Sequence, residues 1–231
     1  MTIDESFDRS ADYYDDWVRK GLPCYEEAFT TAVELIPFGP EDEIRVLDLG
    51  AGTGLFAWHV TERFRRANLV LYDVSSKMLE VARARFGDSL DRVSIVEADY
   101  RGLDAVDAYD VAVSSLSIHH LAHTDKEELF RQVYLALRPG GVFINLDQIE
   151  GSTQGLRDLY WETWLEKVRA SGADEGKVQE SISRRRELDN DASLADQLCW
   201  LSGAGFTDVD CIYKHYFVGV FYGLKQQPDN E

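Results

Sequence analysis

The sequence predicts an α/β protein: a mostly parallel sheet with helices on both faces, a helical insertion, and an antiparallel strand pair near the C-terminal end. Short apolar runs alternate with helical patterns between residues 44 and 146, the first run empties into a glycine cluster, and two strand patterns lie almost back to back after residue 207. With 231 residues, 45% of them hydrophobic, one substantial core can be buried. A single domain is therefore expected over 1–231, with N-terminal helices within 1–40 and a helical lid or insertion at about 151–192.

In chain order, Phe7, Ala11, Tyr14 and Val18 recur at helical spacing and give a short amphipathic helix from Ser6 to about Lys20, stopped by Gly21-Leu22-Pro23. A second helix follows from Tyr25 to Leu35. Ile44 to Leu49 is almost wholly apolar, as a parallel strand covered on both faces must be. Further strand runs are Leu69–Tyr72, Val93–Val96, Val111–Val113 and Val142–Leu146, and the helical patterns between them are Phe56–Phe64, Ser76–Phe86 and Lys126–Leu137. This alternation implies right-handed βαβ crossovers. Beyond Ile149 the period changes: Leu156, Leu159, Tyr160, Trp164 and Val168 mark a long helix, followed by the charged stretch Ser171–Asp191. Asp208–Tyr213 and Tyr216–Tyr222, separated by Lys214 and His215, read as the antiparallel pair.

A net charge of −18 repels phosphate backbones and argues against a nucleic-acid substrate. A neutral or cationic small molecule suits it better. No window approaches the roughly 18 apolar residues of a spanning helix, so no membrane partner and a cytoplasmic location are expected. Cys24, Cys199 and Cys211 have neither zinc-type nor redox-type spacing and read as reduced thiols.

The strongest local signal is Leu47-Asp48-Leu49-Gly50-Ala51-Gly52-Thr53-Gly54, where a strand ends in glycines that let a ligand approach the backbone before a helix begins. Gly52, Gly54 and Ala57 loosely fit a dinucleotide fingerprint, which keeps an NAD-dependent oxidoreductase as a rival. Asp48 argues against it, because a carboxylate beside the glycine turn opposes a diphosphate and favours a ligand carrying an ammonium and a sulfonium. Asp73 closes the second strand, where it can accept both hydroxyls of a ribose, and Val74 and Met78 follow it into the same cleft. Asp99 ends the third strand and can accept from an adenine amino group, with Tyr100 beside the ring.

Through LDLGAGTG, the strand-end acids Asp73 and Asp99, the segment YDVAVSSLSIHHL and the LRPGG turn, residues 40 to 150 resemble the class I S-adenosylmethionine (SAM)-dependent methyltransferases. The resemblance implies a Rossmann-like seven-stranded sheet and SAM as cofactor, with S-adenosylhomocysteine (SAH) as product. It maps the methionine end of SAM onto Asp48, Gly50, Ala51 and Gly52, and puts Ser115 beside the cofactor. The flanks are similar to the carboxy-SAM synthase branch in Leu22-Pro23-Cys24-Tyr25, Ile182-Ser183-Arg184-Arg185-Arg186 and Ala204-Gly205-Phe206. By that similarity Tyr25 reaches the cofactor, as Tyr14 is also expected to do, and one arginine of 184–186, taken as Arg185, approaches the active site.

His119 and His120, with His123 beyond, follow the fourth strand at the end of the sheet where the methyl group belongs, and are the candidate catalytic bases. A base is required only if the acceptor must lose a proton, because methyl transfer from a sulfonium needs mainly positioning. No metal is expected, since the histidines lack a convincing Cys or Glu companion. Trp17, Tyr160 and Trp164 belong to an aromatic group that also contains Tyr13, Tyr14 and Trp161 and could roof an acceptor pocket. The predicted function is methyl transfer from SAM to a small-molecule acceptor, with a homodimer as an oligomeric form that no residue argues for. The rivals are a carboxy-SAM synthase-like enzyme, a non-catalytic SAM-binding protein and the oxidoreductase.

Overall fold

The apolar runs become β1 (Arg45–Leu49), β2 (Asn68–Asp73), β3 (Val93–Glu97), β4 (Tyr109–Ser115) and β5 (Leu137–Glu150), all parallel, in a computed structural model that describes residues 2–227. β7 (Thr207–His215) and β8 (Val218–Leu224) follow, with β8 antiparallel to both β5 and β7. The order is β3-β2-β1-β4-β5-β8-β7, and the two-residue β6 (Ala192–Ser193) pairs with the far end of β5. Seven strands thus form the main path, as expected, and the short β6 is an addition.

Successive side chains of a strand point to opposite faces, so each apolar run feeds two cores. Val46, Val111, Ile144 and Val220 face a core shared with α3 (Tyr25–Glu34) and α4 (Leu55–Arg63). Leu47, Ala112, Phe143 and Phe221 face the other, shared with α6 (His123–Ala136) and α9 (Leu194–Ala204). Strand interiors covered on both sides explain why these runs do not alternate in polarity.

α5 (Ser76–Phe86) starts where Ser75 accepts a hydrogen bond from the Met78 N–H, which places the β2 tip directly before a capped helix. The predicted N-terminal helix is two helices, α1 (Ile3–Ser10) and α2 (Tyr14–Gly21), joined by a 3-10 turn at 11–13. That break turns Phe7 and Tyr14 toward one cleft. The insertion is a hairpin of α7 (Gln154–Ala170) and α8 (Glu175–Leu188), so the charged stretch after Ser171 is mostly helical. α9 was not foreseen as a helix. The predicted C-terminal turn moves two residues later, to Tyr216 and Phe217, because Phe217 is buried against Trp164 and Arg185. No helix among the described residues is long and apolar enough to cross a membrane.

Candidate active site

The strand order reverses between β1 and β4, and a crevice opens beyond the C-terminal strand ends at that switch point, where α/β sheets bind ligands. The crevice is a cleft of about 330 Å³ lined by Gly50, Gly52, Asp73, Met78, Tyr100 and Ser117 among others. Its volume falls within the roughly 300–1,000 Å³ typical of small-molecule sites. Gly52 takes φ +55°, and a Cβ built there meets nothing within 4 Å, so the bare backbone faces open space. Gly54 serves packing instead: a Cβ there would stand 2.8 Å from Phe86. Asp73 accepts from the Gly52 N–H at 2.8 Å and the Ser75 N–H at 2.8 Å, bracing the loop against the β2 tip. Burial raises its pKa against the lowering effect of those two N–H groups. Such a cleft suits a nucleoside carrying a cationic chain.

Of the residues expected at the cofactor, Tyr14, Gly50, Gly52, Asp73, Val74, Met78, Asp99 and Tyr100 line this cleft. Four do not. Asp48 is 1% exposed beneath the glycine loop, where its Oδ2 accepts from the Ala57 N–H at 3.2 Å and its Oδ1 has no partner among the described residues. Burial pushes its carboxyl up to about 7. Of the three strand-tip carboxylates expected to converge, Asp73 and Asp99 line the cleft and Asp48 supports the loop from below. Ala51 is buried and its N–H donates to the Tyr72 carbonyl. Tyr25 lies in the core, its hydroxyl 2.7 Å from His59 Nε2 and its ring against Phe29, because α3 packs on α4. Ser115 ends β4 paired with Leu146, and Leu116 and Ser117 occupy the cleft wall instead. Asp99 is at the cleft but engaged: Arg101 donates to it from its backbone N–H at 2.9 Å and from Nε at 2.8 Å, and this bonding lowers its pKa.

Deeper in, an inner chamber of about 70 Å³ shares Phe7, Tyr14, Leu116 and His120 with the cleft. Trp17, Trp164, His119, Arg184 and Arg185 complete much of its wall. Leu116 adopts φ +51°, a backbone strain of about 1–2 kcal/mol for a non-glycine residue, held at the junction of the two spaces. Tyr160 does not line the inner chamber. With Trp161 it lines an outer cavity of about 350 Å³ that touches the chamber through Arg185, Asp189 and Phe217. Arg185 sits among Trp161, Trp164 and Phe217, 4.6 Å from the Phe217 centroid.

The histidines belong to a buried charge network. The His119 N–H donates to Asp147 Oδ2 at 2.9 Å, and its ring Nδ1 pairs with Asp147 Oδ1 at 2.6 Å. Burial opposes a charge on this ring, but Asp147 and Asp189 outweigh it and push its pKa up to about 10. His120, whose ring centroid lies 3.9 Å from that of His119 at a 51° tilt, is driven the other way, to about 4, by burial and by the neighbouring His119 charge. A protonated imidazole thus stands beside a neutral one. His120 Nδ1 lies 3.1 Å from Asp189 Oδ1 but out of line for a formed hydrogen bond, and both ring nitrogens lack a partner among the described residues. Lys126, 1% exposed, fixes the loop by donating to the carbonyls of His119, Leu121 and Asn190.

Sequence reading missed Asp147 and Asp189. Asp147 was within reach, because it lies near the C-terminal end of a strand, as Asp73 does. Asp189 gave no signal, since it follows a charged helix far along the chain. With it, His119, His120 and Asp189 bring three ligand-type atoms within 4.8 Å of one another, so the histidines, expected to lack a Cys or Glu companion, have an Asp beside them. Lys126, Arg185 and protonated His119 already face Asp147, Asp189 and Asp191, so the cluster is close to charge balance without an ion.

A glycine-looped cleft at the switch point of this strand order defines a SAM-binding fold of the class I type. Residues 46–141 match the family model described as "Methyltransferase domain", so this part of the chain is similar to the methyltransferases. The chain is 24% identical over 227 residues to a carboxy-S-adenosyl-L-methionine synthase of Shewanella woodyi, covering 96% of this chain and 93% of that protein. A SAM-dependent methyltransferase of Thermotoga maritima superposes with TM-score 0.65 at 18% identity, over 97% of this chain and 100% of that one. Human N-acetylserotonin methyltransferase, solved with SAM, gives TM-score 0.61 at 17% identity, over 92% of this chain and 53% of that one.

Proposed function

We propose that the protein transfers the SAM methyl group to a small-molecule acceptor whose nucleophilic atom carries a proton. The observation that carries this reading is His120: it lines both the cofactor cleft and the inner chamber, its pKa is lowered to about 4, and neither ring nitrogen has a formed hydrogen bond among the described residues. Bound in the cleft, SAM supplies a methyl group on a positively charged sulfur. Gly50, Gly52 and Asp73 hold the cofactor's place, and the aromatic wall of Phe7, Tyr14, Trp17 and Trp164 excludes water from the chamber. The acceptor atom forms its bond to the methyl carbon as the carbon–sulfur bond breaks, SAH leaves as a neutral thioether, and the acceptor proton passes to His120. Incubation with SAM and a library of small hydroxyl, phenol and amine compounds tests the proposal by SAH release. Binding of SAM and SAH without turnover on any compound would favour a SAM-binding protein that has no chemistry.

A second reading is supported by two observations: the similarity to a carboxy-SAM synthase along nearly the whole chain, and Arg184, which lines the chamber with no carboxylate partner among the described residues. It predicts that incubation with SAM and prephenate yields a cofactor heavier by a carboxyl group in mass spectrometry. An unchanged cofactor dismisses it.

A further inference from the structure

The geometry points to Asp189, delivered by the insertion, as a positioning residue that fixes the tautomer of His120. This rests on the assignment of His120 as proton acceptor. Asp189 follows the last residue of α8, and its side chain is 6% exposed. One carboxylate oxygen, Oδ1, stands 3.1 Å from His120 Nδ1 and 3.6 Å from His119 Nε2. The other, Oδ2, accepts from Gln148 Nε2 at 3.0 Å and lies 3.6 Å from Arg185 Nε.

A neutral imidazole carries its proton on one nitrogen and a lone pair on the other. A lone pair on Nδ1 would lie within 3.1 Å of the Asp189 oxygen and be repelled, whereas an N–H there is attracted by the carboxylate charge even off the hydrogen-bond line. Asp189 therefore favours the Nδ1–H form and leaves the lone pair on Nε2, the nitrogen that must receive the acceptor proton. This is the opposite of the tautomer that a free histidine side chain prefers in water. His119 cannot neutralise Asp189 by giving up its proton, because Asp147 holds that ring charged from its other side.

The carboxylate is also prevented from drifting. The Asn190 N–H donates to the His119 carbonyl at 2.9 Å, Asn190 Nδ2 donates to the Leu121 carbonyl at 3.1 Å, and β6 pairs with β5 at Ile149 and Glu150. The segment after α8 is thus stitched to the loop that carries both histidines. An insertion read from sequence as a lid contributes a fixed part of the site.

The test is the nitrogen NMR spectrum of histidine-labelled protein with SAH bound at neutral pH, with His120 assigned by the loss of its signals in His120→Gln. The expected result is a neutral His120 with its proton on Nδ1. Asp189→Asn keeps an acceptor and should keep that form. Asp189→Leu, which removes it, should move the majority of His120 to the Nε2–H form while SAH affinity stays within about threefold. A purely structural role for Asp189 would not change the tautomer. The proposal is overturned if wild-type His120 carries its proton on Nε2 or is cationic, or if Asp189→Leu binds SAH and keeps Nδ1–H. Should Asp189→Leu fail to fold, the wild-type and Asp189→Asn spectra still decide. No acceptor is needed, so a locked Nδ1–H form with no SAH release on any compound would leave this inference standing and reject the proposed function.

Discussion

Replacing Asp147 by Asn should destabilise the protein in a way that depends on pH. Asp147 is 1% exposed and is the main partner that keeps His119 charged. The folded-state pKa of His119 is raised from 6.5 to about 10, so its contribution to stability is fully present below pH 6.5 and is lost as pH rises through about 10. At pH 7 the native protein holds this proton about three pH units below its folded pKa. At about 1.36 kcal/mol per unit the two carboxylates together supply about 4 kcal/mol, and because Asp189 stays in the variant, loss of the Asp147 share costs up to that amount. Urea unfolding of parent and variant at pH 7, 8.5 and 10.5 measures this. The difference should be largest at pH 7, up to about 4 kcal/mol, and shrink toward zero at the highest pH. A difference that is the same at all three would refute the reasoning, because it would mean the carboxylate matters through packing and neutral hydrogen bonds, not through the charge on His119.

Gly52→Ala should lower SAM affinity at least about tenfold in calorimetry, since its Cβ enters the open cleft, at a stability cost of about 1 kcal/mol for the positive φ. Gly54→Ala should instead cost more stability than Gly52→Ala in denaturant titration, because its Cβ meets Phe86 at 2.8 Å in addition to φ +74°. Asp48→Asn tests the buried carboxyl: its pKa is raised from 3.8 to about 7, so its stabilising effect is present below 3.8 and lost as pH rises through about 7. The variant should therefore gain in Tm on the parent across that range, and a constant difference would count against a buried, protonated Asp48. Once an acceptor is found, His120→Ala should reduce kcat by about 10²–10⁴-fold, the usual range for a lost general base, and a loss below tenfold would remove it from proton transfer.

Agreement between sequence and structure is best where the information is local. The β2 tip at Asp73 and the capped start of α5 at Ser76 were legible because strand period, cap and helix period all lie within a dozen residues. The glycine loop was legible for the same reason. Asp48 was misjudged because strand position gives the residue's place along the sheet, whereas the direction of its side chain depends on how the loop above it closes. Tyr25, placed at the cofactor by resemblance, lies in the core here, and spacing could not tell the two apart: a helix face buried against α4 and one turned to the cleft have the same spacing in sequence.

By itself, then, the sequence determined the parallel sheet, its antiparallel edge and the glycine-looped cleft, since these follow from periodicity and backbone chemistry, while the cofactor class came from the resemblance of its motifs to a known family. Only the tertiary structure decided which polar groups converge. His119, Asp147 and Asp189 come from the β4–α6 loop, β5 and the end of the insertion, 28 and 42 residues apart in sequence along that path. Their opposite effects on the two histidines exist because burial strengthens charge interactions that water would otherwise screen, and burial is a property of the assembled fold.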